Sequence, residues 1–329
     1  MTITAYQPLE NLEFSPQICF LSGEKLDENN SFLVPVFPNW LMERYELEKK
    51  LILMMGGIRM MYRELVLPAS TKVAHAIQEL DLELQNAFEK GYEGAKEVEE
   101  IRVFQLMARI MYGMVYHDFV LALEEAERNK KEFKISDLMR QKLKNLHLML
   151  QSLIRPVEFV NFKPWSMQLF PIKISKDILN YKDEPRKLNF CFGMHDFGFI
   201  ACLQDNGEVE KYNAEILEKI EETPLHPVQF QELYARFMYS NYILRDFPDY
   251  QIVEKDHKLI FSLVEDPFKD LKKYAEWNNE TYAKVLGGQW DPWGIPMHII
   301  YDFPNDPISY IIDDNDYSFI HPSKIKLPY

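Results

Sequence analysis

Glycine and cysteine are both scarce in this chain of 329 residues, which has 12 glycines and three cysteines. Average proteins contain roughly 7% glycine, so loops that bind phosphate through glycine backbone N–H groups are not expected. The chain has no Gly-x-Gly-x-x-Gly and no Gly-x-Ser-x-Gly motif. The three cysteines are too few for a disulfide scaffold, which indicates a reducing compartment and a cytoplasmic protein.

Long apolar runs are also missing. The longest, such as residues 51–55, fall far short of the roughly 20 residues that cross a bilayer. The first residues have neither the basic region nor the apolar region of a secretory signal. The sequence therefore predicts a soluble protein that has no membrane partner.

Positive charge is in short supply, since 37 Lys and Arg stand against 51 Asp and Glu, a net charge of −14. This balance disfavours nucleic acid as a partner. The middle of the chain is the exception, because residues 128–144 carry seven cations and two anions. Such a block binds phosphate backbones, covers a solvated helix face or pairs with acidic groups of the same protein. The candidate nucleic-acid-binding residues are Arg128, Lys130, Lys131, Lys134, Arg140 and Lys144.

Helical periodicity dominates the first half of the chain. Apolar residues recur at three- and four-residue spacing. Helix N-caps are expected at Ser70 or Thr71 and at Ser136. The predicted helices cover residues 72–88, 98–129 and 136–154. Before them lies an irregular head, with a short strand predicted over 60–68 and ended by Pro68.

Strand patterns replace the helical ones after Pro156. Antiparallel strands are predicted at 167–174, 187–194, 197–204 and 250–264, and a hairpin turn at 205–207 leads into a strand over 208–212. Helices are predicted at 228–244 and 268–286, and a last strand at 297–303. If strands 187–194 and 197–204 turn at 196–197, Cys191 faces Cys202, as a redox pair or as two core residues.

Three segments of the first half follow the order of a known pattern. Cys19-x-x-Ser22-Gly23 has the shape of a zinc knuckle with serine at the second cysteine position. Residues 36–41, Val-Phe-Pro-Asn-Trp-Leu, follow, and 65–88 give a strand and a long helix. Together with the apolar helix 103–118 they resemble the HNH endonuclease superfamily over residues 15–120. That branch carries a Cys-x-x-Cys knuckle, then Glu-His-Val-Phe-Pro-x-Trp-Leu, then a second knuckle that opens a long helix.

The residues that supply the family's chemistry are replaced. The resemblance puts the family's catalytic histidine at Pro35 and its preceding acid at Val34. It puts the second-knuckle cysteines at about Ala69 and Lys72, and the asparagine after them at about Val73. Of the four zinc cysteines only Cys19 remains. Proline can neither take a proton nor bind a metal through its side chain, so we expect an inactive frame with no catalytic residues, no metal and no cofactor.

No other part of the sequence replaces that chemistry. The eight histidines never stand three or four residues apart, so no helical metal pair exists. His117-Asp118 is expected at a helix contact and His195-Asp196 in a tight turn. The aromatic residues of the C-terminal part form either core or a ligand or partner surface. The candidate surface residues are Trp290, Trp293 and Tyr301.

These observations predict an α+β protein of two domains. Residues 1–155 are expected to form a mostly helical domain with a degenerate treble-clef-like head, and residues 156–329 an antiparallel sheet with helices. The function indicated is a non-catalytic binding or interaction protein whose partner is a protein or a second copy of the chain. The alternatives are a hydrolase or nuclease with a carboxylate site in the second half, and nucleic-acid binding through residues 128–144.

Overall fold

The computed structural model describes residues 4–12, 14–173, 176–245, 249–264 and 272–327. It is 43% helix and 20% strand, with helices and antiparallel sheets mixed, so the predicted α+β class is confirmed. The helices are α1 Pro8–Asn11, α2 Asn39–Arg44, α3 Thr71–Phe88, α4 Gly91–Lys96, α5 Glu100–Arg128, α6 Asp137–Leu150, α7 Glu208–Tyr212, α8 Ala214–Ile220, α9 Pro227–Ile243, α10 Asn279–Trp290 and α11 Met297–Ile300. The strands are β1 Ser31–Pro35, β2 Leu51–Leu53, β3 Arg59–Met61, β4 Val66–Ser70, β5 Val157–Phe159, β6 Ser166–Pro171, β7 Asn180–Glu184, β8 Asn189–Met194, β9 Phe197–Cys202, β10 Tyr250–Lys255 and β11 Lys258–Leu263.

The chain divides into two compact units. The first unit comprises Met1–Glu89, Glu97–Phe162 and Tyr250–Leu263, and the second comprises Lys90–Lys96, Lys163–Asp249 and Val264–Tyr329. The division at Phe162 lies seven residues beyond the boundary expected at residue 155. The β10–β11 hairpin, expected in the second domain, belongs to the first unit, and α4 belongs to the second.

Three helices form the core of the first unit. α3 and α5 begin and end close to the positions that periodicity predicts, and the Ser136 hydroxyl accepts the Met139 N–H at 3.3 Å as the cap of α6. Nearly every residue of the first half of α5 is buried. Among them is Arg109, whose guanidinium lies 2.8 Å from the Asp81 carboxylate of α3. Arg109 is fully buried and Asp81 is 19% exposed, so the helical core contains a partly buried ion pair.

Three small sheets surround these helices. β1 pairs antiparallel with β4, with Pro35 opposite Val66, and β2 pairs with β3. The third sheet has the order β10-β11-β5, in which β5 runs parallel to β11. The short helix α2 follows β1 and begins directly after Pro38, because a proline disfavours helix in the residues before it.

A four-stranded antiparallel sheet of order β6-β9-β8-β7 is the centre of the second unit. β8 and β9, buried along their whole length, form a hairpin with the two-residue turn His195-Asp196. α9 packs its apolar residues, including Phe230, Leu233 and Phe237, against this sheet. The sheet and α9 therefore form one continuous apolar core.

Buried polar groups of the second unit are held by hydrogen bonds. The Asp205 carboxylate accepts the Ser166 N–H at 2.6 Å, the Ser166 hydroxyl at 2.5 Å and the Val209 N–H at 2.8 Å. Burial raises its pKa to about 6. On α9, buried Glu232 accepts the Tyr310 N–H at 2.7 Å, and the Gln229 amide donates to the Tyr310 carbonyl at 2.8 Å. α9 thereby holds the C-terminal segment in place.

Among the described residues, α5 is the one helix long and apolar enough to cross a membrane. Of its most apolar window, 72% is buried inside the fold. The core helices of soluble proteins have this character, and α5 is the central helix of the first unit.

Several local predictions are wrong. Residues 60–68 are not one strand: a 3-10 turn at Tyr62–Glu64 separates β3 from β4, and Pro68 lies inside β4. A two-stranded sheet accepts proline because its edge needs no N–H donor there. The expected strand 208–212 is the helix α7. The expected strand 297–303 begins as the helix α11, which follows directly after Pro296.

Two further predictions concern the C-terminal helix and the cysteines. The helix expected over 268–286 begins at Asn279 and continues through Gly287 to Trp290, and its residues 268–271 lie outside the described residues. Cys191 and Cys202 do not face each other: Cys191 pairs with Ile200, and Cys202 with Asn189. The turn falls one residue earlier than expected, which shifts the register by two residues.

Candidate ligand-binding site

The segment that resembles a zinc knuckle is a tight turn. The Cys19 N–H donates to the Glu24 carbonyl at 2.8 Å, and the Gly23 N–H donates to the Cys19 carbonyl at 3.0 Å. The Phe20 N–H reaches the Pro68 carbonyl at 2.8 Å, so the turn lies against the end of β4, where α3 begins. Cys19 is a buried free thiol.

The residues aligned with the family's ligands lie around this turn. Ala69 is buried in β4, whereas Lys72 is exposed on the first turn of α3. Ser70, which follows Ala69, and Val73, which follows Lys72, are both buried. Among the described residues, no three His, Cys, Asp or Glu side chains are grouped closely enough to hold a metal ion.

Two histidines of the first unit bind backbone carbonyls. His147 Nε2 lies 2.8 Å from the Phe20 carbonyl, and burial lowers its pKa to about 4. His117 Nε2 lies 3.0 Å from the Val66 carbonyl, and burial lowers its pKa as well. Both imidazoles are neutral donors that tie helices to the head of the unit, as expected for a histidine at a helix contact.

The candidate nucleic-acid-binding residues do not form one free patch. Lys144 lies 2.7 Å from the Glu10 carboxylate, and Arg140 donates to the Leu9 carbonyl at 3.2 Å, so both hold α1. Lys134 lies 3.1 Å from Glu132, and Arg128 donates to the Glu124 carbonyl at 3.3 Å. Lys130 and Lys131 are exposed, and neither has a side-chain partner among the described residues.

The three candidate aromatic residues have different environments. Trp290 is fully buried and its indole N–H donates to the Val228 carbonyl at 3.0 Å, so it is a core residue and not part of a surface. α10 extends to Trp290, which stands one helical turn after Leu286 and therefore lies on the same buried face. Tyr301 lines a shallow depression beside Met297 and Phe303. Trp293 lines a larger cavity.

This cavity has a volume of about 600 Å³ and lies within the second unit. Volumes of 300–1,000 Å³ are typical of sites for small organic molecules. Its walls come from the region between β6 and β7, the β8–β9 turn, the start of α9, the turn at Trp293 and the C-terminal segment. The apolar lining residues include Ile172, Ile178, Leu179, Met194, Phe197, Phe230, Trp293 and Leu327, and the polar ones are Lys173, Lys176, Asn180, Lys182, His195, His226 and Gln231.

His195 is oriented by two carboxylates. Its Nδ1 lies 2.9 Å from Asp196 Oδ1, and its backbone N–H donates to Asp177 at 2.9 Å. Asp196 in turn accepts the Tyr92 N–H at 2.8 Å. Asp196 can approach this backbone because residue 91 is glycine, where a Cβ would collide with the carboxylate. A proton on Nδ1 leaves Nε2 as the nitrogen without a partner among the described residues.

The backbone at His195 is strained. Its φ is 52°, in the left-handed region that non-glycine residues rarely occupy. Such a conformation costs about 1 kcal/mol and persists where the surroundings impose it. Here the two-residue turn between β8 and β9 requires a positive φ at its first residue. The two carboxylates hold the imidazole at the cavity.

His226 has the opposite tautomer to His195, with its proton on Nε2 and not on Nδ1. As the N-cap of α9 its Nδ1 accepts the Val228 N–H at 3.1 Å, which leaves the proton on Nε2. Burial lowers its pKa. The cavity is therefore lined by one histidine whose Nε2 is an acceptor and one whose Nε2 is a donor.

Three lysines complete the polar lining. Lys182 donates to the Gln289 side-chain oxygen at 2.7 Å, and its pKa is lowered by burial, an effect that the nearby Asp291 partly offsets. Lys173 and Lys176 are exposed at the rim, and neither has a side-chain partner among the described residues. The described lining contains no Asp or Glu.

No family model, no curated protein and no solved structure matches this chain. The fold and the site therefore define only a class: an α+β protein with a ligand-sized cavity in its second unit. The likeness to the HNH superfamily stays a prediction.

Most of the cavity residues carry no recognisable motif. Lys173, Lys176, Lys182, His226 and Gln231 are absent from the sequence-based candidates, and His195-Asp196 was expected only as a turn. The one available signal is the set of lysines at the end of the predicted strand 167–174 and before the next predicted strand, and such lysines are usually solvated. Trp293 is the sequence-based candidate that lies at the cavity.

Proposed function

We propose that this chain is a non-catalytic binding protein that holds a small molecule in the cavity of its second unit. The observation that carries this proposal is the cavity, whose volume of about 600 Å³ and mainly apolar walls suit an organic ligand. Polar groups stand at a few fixed points of its wall, as they do in sites that orient a bound molecule. The absence of Asp and Glu from the described lining argues against a carboxylate-based hydrolase there.

In the same proposal the first unit is an HNH-like frame without its catalytic residues. The knuckle-like turn, the β1–β4 pair and α3 follow one another as in a treble clef, which supports this relationship. The positions aligned with the nuclease's ligands and base are Ser22, Pro35, Ala69 and Lys72. Because Pro35 cannot act as a base and Ser22, Ala69 and Lys72 supply no zinc thiolate, this unit has an architectural role.

The proposal includes a cytoplasmic location and a protein partner or second copy. Three buried free thiols suit a reducing compartment. The β2–β3 hairpin exposes Leu51, Leu53, Met55 and Ile58, each about half exposed or more, which suits an interaction surface.

The binding test uses N-phenyl-1-naphthylamine, an uncharged dye whose fluorescence rises in apolar sites. We expect one site per chain. Trp293→Ala should weaken binding about tenfold because the indole lines the cavity. Tyr301→Ala is the matched control, an aromatic truncation in the same unit but outside the cavity, and should leave binding unchanged. Absence of saturable binding, or equal effects of the two variants, would contradict the proposal.

The non-catalytic part has its own test. Supercoiled plasmid is incubated with the protein and Mg²⁺, Mn²⁺ or Zn²⁺, and the zinc content of the protein is measured. We expect no cleavage and less than stoichiometric zinc. Metal-dependent cleavage together with one zinc per chain would restore the nuclease reading of the first unit.

One alternative function is favoured by a specific observation. The Asp196–His195 pair leaves Nε2 as a potential general base at the cavity, as in enzymes that activate water or a substrate hydroxyl. In that case His195→Gln abolishes turnover of a bound ester while the dye still binds. Equal turnover by wild type and variant would remove this candidate.

A further inference from the structure

We propose that the ligand of the second unit's cavity is an organic anion, a small molecule with one acidic group on an apolar body. This ligand class rests on the binding function proposed above and adds to it the charge of the occupant. It is independent of the HNH-like frame, since every lining residue belongs to the second unit.

The charge of the lining is the first argument. Lys173, Lys176 and Lys182 all line the cavity, although Asp and Glu outnumber Lys and Arg by 51 to 37 in the whole chain. Cations gathered in one concave site raise the local concentration of anions and bind them when the walls exclude water. Surface lysines elsewhere in this unit, such as Lys211 and Lys219, have carboxylate partners instead.

The start of α9 supplies a second source of positive potential. His226 caps this helix of 17 residues at the cavity, and the N-terminal end of a helix carries a partial positive charge. The His226 tautomer leaves an Nε2–H donor, which suits an oxygen of an acidic group. The N-terminal end of α9 and the lysine side chains thus favour the same sign of ligand charge.

A buried amide that lacks one partner points to a ligand independently. Gln231 lines the cavity and is 3% exposed, yet its Oε1 has no hydrogen-bond partner among the described residues. A buried acceptor without a partner is unfavourable unless something else satisfies it. An O–H or N–H group on the ligand would do so.

The aromatic and aliphatic side chains of the cavity wall favour a ligand whose body is apolar. Phe197, Phe230 and Trp293 stand among the lining residues with several aliphatic side chains. A cavity of about 600 Å³ is too large for a bare inorganic ion and holds one molecule of ordinary metabolite size. An amphipathic anion satisfies the cations and the apolar wall together.

The test compares two dyes that share one aromatic body. 8-Anilinonaphthalene-1-sulfonate carries an anionic group, and N-phenyl-1-naphthylamine is the same molecule without it. We expect the anion to bind about tenfold or more tightly than the neutral dye, at one site per chain, with an advantage that shrinks as salt rises. Equal affinities would overturn the anion assignment while leaving the binding function in place, and failure of both dyes to bind would remove the binding function itself.

Matched variants then locate the anionic preference. Lys173→Gln with Lys176→Gln should weaken anion binding about tenfold and leave the neutral dye within about twofold. Lys211→Gln with Lys219→Gln makes the same change in net charge outside the lining and should change neither. If both double variants weaken the anion equally, net charge rather than the cavity is responsible, and the proposal fails.

A substitution at an exposed lining residue gives a second readout. Ile178 is 60% exposed, so replacing it should not disturb folding. Ile178→Asp should exclude the anionic dye, whereas Ile178→Asn should keep most of the binding. Decanoate should compete with the anionic dye at lower concentration than decanol does. Equal competition by the acid and the alcohol would contradict the proposal.

Discussion

The histidines described in the two units are used in opposite ways. In the first unit, His117 and His147 contact backbone carbonyls, and Arg109 contacts the partly exposed Asp81 carboxylate. These three side chains therefore hold α5 and α6 in place. In the second unit, His195 and His226 are each anchored through Nδ1, and Nε2 of each has no partner among the residues that the structure describes. The sequence resemblance therefore lies in one unit and the best-formed binding geometry in the other.

The largest difference should be seen at the ion pair of the first unit. Asp81→Ala leaves the Arg109 guanidinium buried without its partner, so the free energy of unfolding should fall by about 3–5 kcal/mol in urea denaturation. Adding Arg109→Met to Asp81→Ala should restore much of the loss, since the charge is then gone. A loss below about 1 kcal/mol would show that this core tolerates an unpaired charge.

Acid should weaken the first unit through His147. Its pKa is about 4 when folded against 6.5 as the ordinary value, so between these pH values the unfolded state binds the extra proton. The stabilisation is complete above pH 6.5 and declines as the pH falls toward 4, by about 3 kcal/mol. His147→Gln removes this titration. Unfolding free energies at a series of pH values should show wild type losing stability relative to the variant.

Acid should act in the opposite direction on the second unit through Asp205. Burial raises its pKa from 3.8 to about 6, so here the folded state binds the extra proton between these values. Relative to Asp205→Asn, wild type should gain about 2–3 kcal/mol as the pH falls from 6 toward 4. The stability of wild type relative to His147→Gln should fall on acidification, and that relative to Asp205→Asn should rise. If both differences change in the same direction, the contrast between the units is wrong.

The smallest effect belongs to the cavity rim. Lys173→Gln with Lys176→Gln should change the free energy of unfolding by less than about 0.5 kcal/mol, because neither side chain has a described partner to lose. Thermal melts of the variant and wild type provide the measurement. A large loss of stability would make these lysines structural, like the histidines of the first unit.

Long periodic elements were predictable because local forces determine them. Apolar spacing and the Ser136 hydroxyl locate α3, α5 and α6 to within a few residues. Local rules failed where tertiary packing decides. α10 continues past Gly287 because Tyr282, Leu286 and Trp290 share one buried face. The two-residue turn at His195 set a register that the strand pattern alone left open.

The cavity was beyond sequence reasoning for a different reason. Its wall joins residues near positions 172, 195, 226, 293 and 327, which no spacing rule connects. The resemblance over residues 15–120 concerned only the first unit. Trp293 could be proposed because aromatic residues favour ligand sites, whereas the same reasoning placed buried Trp290 on a surface.

The order in which the chain builds the two units has a consequence for the expression of truncated fragments. The first unit is assembled from three stretches, and its β5 finds its parallel neighbour β11 only after residue 257. A fragment that stops at residue 162 would contain β5 but not its neighbour β11. A fragment that starts at residue 163 would contain β10 and β11 without β5. It would also lack Gly91, which accommodates Asp196. Neither half is thus a transferable module, and the two units should be inherited and exchanged together.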